Sequence, residues 1–416
     1  MKILVSAYAC SPFKGSEPAV GWGFVSMLAR CHDLWVIVEE EKFRADIERY
    51  LAENPDFSRS VRFFYLRKRR NRLLRKIWPP SYYWHYRRWH RDALSLARDL
   101  HREIGFDIVH QLTMVGFREP GYLWKLNIPF VWGPIGGMGL FPLRFWRTIG
   151  IGGTVYYLGY NLFNFFHMRF STRPRLAARA AGGGLIAATP ENQAGTRRYW
   201  GCASTLMTEV GLPPETVAAE PARRGPEEPL RIVWTGLHIP RKALNLALQA
   251  LASLPPELDW RLDVLGDGPR SRAWKRLSDQ LGLTGRCHFR GWLSRAEAME
   301  TMAASHVMFV TSLRDLTSTV TVEALAKGLP IVCPDHCGFA GVIDDSCGIK
   351  VPVSSPAQSV AGFAAAIQKL GSDEDLRHRL AVGAARRAQD FAWERKREAL
   401  EHIYREKVSP RTAPEP

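Results

Sequence analysis

The chain has 416 residues, 46% of them hydrophobic, with 57 Lys and Arg against 41 Asp and Glu, a net charge of +16. That length is comfortable for two domains, and the composition excludes a chain too polar to bury a large core. The cationic surplus favours an anionic partner: nucleic acid, an acidic membrane surface or phosphorylated substrates. The seven cysteines are scattered. This pattern argues for free thiols in a reducing cytosol, and residues 2–6 read as a first strand and not as a secretory signal.

Short β-rich runs alternate with helical stretches, which predicts parallel α/β sheets. A first strand is expected over residues 3–9. It runs into "ACSPFKGSEPAVGWG", where a turn at Gly15 precedes Ser16 as helix cap and Glu17-Pro18 as helix start, with the helix continuing to about residue 29. The G-x-G-x-x-G spacing of a dinucleotide fingerprint is absent. Further strands are expected over 34–38, 107–110 and 129–132. Two regions interrupt the pattern. Residues 57–91 contain no acid and include the Arg- and aromatic-rich run 62–91. Residues 120–190 also contain no acid, and within them 148–168 carries no Asp, Glu, Lys or Arg.

The stretch 148–168 is long enough to span a bilayer, yet Asn161, Asn164 and several glycines make full burial expensive. An interfacial helix is the better reading, with Arg144, Arg147 and Arg169 meeting phosphates. The run 62–91 could grip nucleic acid, but no nucleic-acid module accompanies it, and anionic headgroups select the same composition. An anionic membrane surface is therefore expected to meet residues 62–91 and 141–170, and no nucleic acid is expected.

Residues 213–229, rich in Pro, Ala and charge, read as a linker between a first domain, 1–212, and a second, 230–390. In the second half, strands are expected over 230–235, 261–265, 287–289, 306–310 and 331–333, and helices over 244–254, 272–281 and 296–304. A terminal amphipathic helix over 391–408 is expected to pack back on the first domain, before a disordered tail, 409–416. Cys333, His336, Cys337 and Cys347 lie close in sequence, but no second tight Cys pair accompanies them, and loop turns explain the spacing without a metal.

The chemistry concentrates in the second half. In "RDLTSTVTVEALAKGLPIV", Thr317, Ser318 and Thr319 stand where a helix begins. Free backbone N–H groups and the helix dipole there make a phosphate site, and small residues let a diphosphate approach. Glu323, inside the helix, could accept two hydrogen bonds from a ribose diol. Asp315, before it, could hold sugar hydroxyls. Arg241 and Lys242 follow a strand and precede a helix, where two adjacent cations could face a diphosphate. "LGDGP", with Gly266 and Gly268, is a tight turn at a strand end, the ligand edge of a parallel sheet.

These pieces, in this order, resemble the retaining glycosyltransferases of family four. Residues 312–335, "SLRDLTSTVTVEALAKGLPIVCPD", look like that family's E-x7-E signature and the run that follows it. "GDGP", "FRGWLSRAEAMETMAASHVMFVTSL" and "DDSCGIKVPV" match its other blocks. The resemblance is specific over residues 230–353 and looser before them. "WGPIGG" with "SPFKGSEP" resembles a bacterial subgroup associated with surface polysaccharide assembly.

The resemblance implies a GT-B fold: two Rossmann-like α/β domains with parallel sheets facing a central cleft. It implies a donor that is a UDP- or GDP-sugar, no cofactor and no metal, and a lipid-linked or glycan acceptor at the inner face of the cell membrane. Lys242, with Arg241, would neutralise the diphosphate. Ser318 and Thr319 would supply amides, Glu323 would bind ribose, and Asp315 the transferred sugar. Gly15, with Ser16 and Glu17, would let the first loop approach a substrate, and His110 would be the first domain's sugar-contacting histidine. Two departures stand out. Gly236-Leu237 occupies the place of the family's arginine, and Asp315 replaces a glutamate. A sugar-nucleotide epimerase of the same architecture, a non-catalytic nucleic-acid-binding protein and an inactive homologue are the competing readings.

Overall fold

The structure is a computed structural model describing residues 1–68, 81–213, 221 and 223–409. Part of the expected linker, part of the basic run and nearly all of the expected tail lie outside the described residues. The chain forms two units. One comprises Met1–Met138, Phe166–Val210 and Trp393–Pro416; the other comprises Gly139–Phe165 and Gly211–Ala392.

In the first unit, strands β1 (Lys2–Ala7), β2 (Asp33–Glu39), β3 (Val61–Leu66), β4 (Ile108–Thr113), β5 (Phe130–Ile135), β6 (Leu185–Ala187) and β7 (Thr205–Leu206) build one sheet in the order β3-β2-β1-β4-β5-β6-β7. Every pairing is parallel. Strands β4 and β5 are buried along their whole length, as expected for central strands covered on both faces. β3, "VRFFYL", is a strand that the density of Arg conceals in the sequence; Arg62 lies over the Trp35 ring at 4.9 Å.

The helix Ser81–Ile104 corrects one expectation. Tyr86 and Trp89, within the run expected to face a membrane, are buried. Both rings stand edge-on to Tyr8 at 4.9 Å, and the Trp89 indole donates to the Leu66 carbonyl at 3.0 Å. Large apolar rings next to a sheet gain more from burial than from water. Tyr86 and Trp89 are therefore core, whereas Trp84 of the same run is exposed. The terminal helix Trp393–Val408 clusters with this unit, with Leu400, Ile403 and Tyr404 buried.

The second unit's sheet contains β8 (Leu230–Thr235), β9 (Trp260–Leu265), β10 (Cys287–Gly291), β11 (Val307–Phe309), β12 (Ile331–Pro334) and β13 (Gly348–Val351). Its order is β10-β9-β8-β11-β12-β13, again parallel throughout. Phe141, Phe145, Ile149 and Tyr157 enter this unit's core beside Trp234, Trp260 and Phe309. The sequence assigns those four to the first domain, because nothing local marks a chain that crosses between cores. Among the described residues no helix is long and apolar enough to cross a membrane.

Candidate functional site

Ligands of open parallel sheets bind beyond the carboxyl ends of the strands, where neighbouring connections leave in opposite directions. In the second sheet that point lies between β8 and β11, which are adjacent. The predicted cations and the first acid flank it. After β8 the chain makes a short 3-10 turn, Pro240–Lys242, and Ala243 takes a left-handed φ of 47° before the helix Leu244–Ala252. After β11 it reaches Asp315. The Lys242 ammonium donates to Asp315 Oδ2 at 2.6 Å, and the Arg241 guanidinium stands 3.3 Å from the same oxygen. Arg241 also donates to the Arg314 carbonyl at 2.6 Å, tying the two loops together. Burial pushes the Asp315 carboxyl up, but Lys242 and Arg241 outweigh it and hold the group below the usual range.

Ser318 precedes the helix Thr319–Ala326 with a φ of 64° and no side-chain cap bond. A non-glycine residue in that region is uncommon and collects at ligand sites. Gly338 lies against this loop so closely that a Cβ would sit 2.6 Å from the Leu316 carbonyl oxygen. Glu323, four residues into the helix, is buried, and its Oε1 accepts from Arg295 at 2.7 Å. Its carboxyl is pushed up by burial, partly offset by Arg295.

Gly266 and Gly268 are required by close approach. Gly266 has a φ of 106°, and a Cβ there would meet the Gly236 carbonyl oxygen at 2.2 Å. The turn after β9 thus locks onto the turn after β8, with His238 N–H donating to the Asp267 carbonyl at 2.9 Å. The strand-end turn is also where the family's missing arginine would stand, and Gly236 is part of this backbone contact.

Three residues here escaped the sequence reading. Arg295 lies in a helix start that looks like ordinary capping, since Ser294 and Glu297 form a capping box. Arg314 is stacked 4.0 Å from the Tyr160 ring and donates to its hydroxyl. His238 is buried, with Nδ1 at 2.8 Å from the Ser271 hydroxyl, and burial holds its pKa below the ordinary value. Only the "LHIPRK" cluster offered a local signal, and only for His238.

The first unit has its own reversal, between β1 and β4. Gly15 stands there exposed, with open space where a Cβ would be. Glu17 accepts from the Val115 N–H, which links the loop after β1 to the end of β4. Burial pushes the Glu17 carboxyl up. Ser16 departs from expectation: its φ is 61°, its hydroxyl caps nothing, and its carbonyl instead accepts from Ala19 N–H at 3.0 Å.

His110 is the larger correction. It is fully buried within β4. Nδ1 lies 2.7 Å from the Tyr404 hydroxyl and Nε2 2.8 Å from the Gly133 carbonyl, so both ring nitrogens are engaged inside the core. Burial lowers its pKa to about 4. A catalytic role for it is withdrawn. The cysteine group is also interior: Cys333, Cys337 and Cys347 are buried and in no disulfide, and burial raises Cys347 to about 11.

Comparison with known proteins follows the same line. Residues 219–387 match the family model described as "Glycosyl transferases group 1". The matched stretch begins just before β8 and runs past β13, so it takes in the whole second sheet. Among curated relatives, a D-inositol 3-phosphate glycosyltransferase of Streptomyces bingchenggensis is 29% identical over 242 residues, 53% of this chain and 52% of that protein. The lipopolysaccharide glucosyltransferase WaaG of Escherichia coli is 30% identical over 123 residues, 29% of this chain and 32% of that protein. The chain thus spans about half the length, or less, of the curated relatives it matches.

Solved structures extend the likeness to the whole fold. The lipopolysaccharide outer core galactosyltransferase WaaB superposes with a TM-score of 0.64 at 14% identity, covering 98% of this chain and 100% of that one. Sucrose-phosphate synthase from Thermosynechococcus elongatus gives 0.65 at 17%, covering 97% and 98%. The GT-B fold expected from the sequence is the fold of this chain, and residues 219–387, which match the family model, contain every predicted donor-side residue.

Proposed function

We propose that this protein transfers a sugar from a nucleoside diphosphate sugar to a hydroxyl of a lipid-linked glycan in cell-surface polysaccharide or glycolipid assembly. One observation carries the reading: the Lys242–Asp315–Arg241 cluster sits astride the reversal point of the second sheet, beside an uncapped helix start. Lys242, Arg241 and the amides at Ser318 and Thr319 neutralise the diphosphate. Glu323 takes the ribose diol once Arg295 yields it. Asp315 holds hydroxyls of the sugar.

In the reaction the anomeric carbon exchanges its diphosphate oxygen for the acceptor's oxygen, and the acceptor's proton leaves with the diphosphate. The family pattern supports retention of configuration. Positive charge already fixed in the site stabilises the departing diphosphate, so the reading calls for no metal. UDP- and GDP-sugars are the proposed donors. A reducing cytosol, at the inner membrane face, is the proposed location.

Thermal shift against a panel of UDP-, GDP- and ADP-sugars identifies the donor. With that donor and a lipid-linked acceptor, Lys242→Ala lowers turnover by about 10²–10³-fold. Undiminished turnover, or no stabilisation by any sugar nucleotide, removes the reading. Sugar-nucleotide conversion with no acceptor present would replace it with epimerisation.

A further inference from the structure

The helix Trp146–Phe170, broken at Gly150 where φ is 75°, turns apolar side chains outward. Its buried positions within the second unit are Ile149, Tyr157, Asn161 and Asn164, so two of four are polar. Asn161 clamps the backbone of Phe141, accepting from its N–H at 2.9 Å and donating to its carbonyl at 2.8 Å. Asn164 donates to the Gly139 carbonyl at 3.4 Å. The outward positions are apolar: Ile151 is 82% exposed, Val155 68%, Leu158 55%, Leu162 71%, Phe163 47% and Phe165 44%. Five of these recur at steps of four, three, four and three, which is one face of an α-helix. A water-facing helix shows the reverse arrangement, and a contiguous apolar stripe of this extent marks an interaction surface.

Charge decides the occupant. No Asp, Glu, Lys or Arg occurs over residues 148–168, and no acid over 120–190. Arg144, in the short 3-10 turn Leu143–Phe145, and Arg147 stand exposed ahead of the Gly150 break, Arg147 over the Trp146 ring at 4.8 Å. A second copy seated on this face in a twofold pair would bring these arginines together with no local acid to pair them. Anionic headgroups above an acyl layer match both features.

We propose that the outward face of the helix Trp146–Phe170 inserts into the interfacial layer of an anionic phospholipid bilayer, with Arg144 and Arg147 on lipid phosphates. The helix lies in the plane of the membrane and does not cross it. The inference deepens the proposed function at one point only, the meeting with a lipid-linked acceptor.

The test is co-sedimentation of the full chain with vesicles of phosphatidylcholine alone or mixed with phosphatidylglycerol, with no sugar nucleotide present. The wild type sediments with the mixed vesicles. Leu158→Glu combined with Leu162→Glu lowers the partition coefficient by at least about tenfold, because two charges replace apolar side chains that enter the layer. The melting temperature stays unchanged, since both positions are exposed. Arg144→Gln with Arg147→Gln erases the preference for anionic vesicles.

Three results overturn the proposal: no sedimentation with either vesicle, equal sedimentation of the Glu pair, or a dimer in sedimentation equilibrium that the Glu pair abolishes without vesicle binding. Because the assay contains no donor, its failure leaves sugar transfer standing. A failed donor panel likewise leaves vesicle binding standing.

Discussion

At the residue scale, the proposed function makes Asp315 and the donor diphosphate rivals for the same cations. The carboxylate accepts from the Lys242 ammonium at 2.6 Å. Asp315→Asn frees that ammonium. Nucleoside diphosphate affinity should then rise by about fivefold, on the order of 1 kcal/mol for a partly exposed pair, while transfer falls. Calorimetry with the diphosphate and a turnover assay read the two effects separately, and weaker binding would exclude the competition.

On the acid side of the stability curve His110 acts beside His90 and His306, which burial likewise holds low. The His110 pKa falls from 6.5 in an ordinary setting to about 4 in the folded chain. Between those values the unfolded chain takes up a proton that the native core refuses, so stability is lost as pH falls through that window. The loss approaches about 1.4 kcal/mol per pH unit for this group. Denaturant unfolding from pH 6.5 to pH 4 should show a shallower slope for His110→Gln than for wild type. Tyr404→Phe removes the hydroxyl facing Nδ1 and should cost about 1–2 kcal/mol at neutral pH in the same experiment.

At the scale of elements, turns hold the donor side together. Gly266→Ala places a Cβ against the Gly236 carbonyl oxygen at 2.2 Å while φ is 106°. Strain and steric overlap together should cost about 1–3 kcal/mol, read by thermal unfolding, and donor binding should weaken further than stability explains. These turns were legible because a glycine at a strand end declares its purpose locally. The cation pair and the helix start were legible for the same reason: spacing along the chain places them at one sheet edge.

Other elements were not legible. β3 lies in an arginine-dense run, and its one strand partner, β2, is distant in sequence. The strand β7 is two residues long. Arg295 and Arg314 earn their positions from partners 28 and 154 residues away, Glu323 and Tyr160. His110 misled because a histidine near a strand end looks available; its neighbours, Gly133 and Tyr404, are contributed by remote segments.

At the scale of the whole molecule, each sheet is parallel throughout, and predicted residues gather where its connections reverse. The units differ in how the chain builds them. The second takes one long segment, Gly211–Ala392, and one inserted piece, while the first needs three separated segments. A chain emerging from the ribosome therefore delivers β1 before the long segment Gly211–Ala392 and Tyr404, the partner of the buried His110, only after it. The half that begins first is completed last. Until then its central strand carries a polar ring with one nitrogen still without its hydroxyl, and the nascent chain stays sensitive at that point to chaperones and proteases.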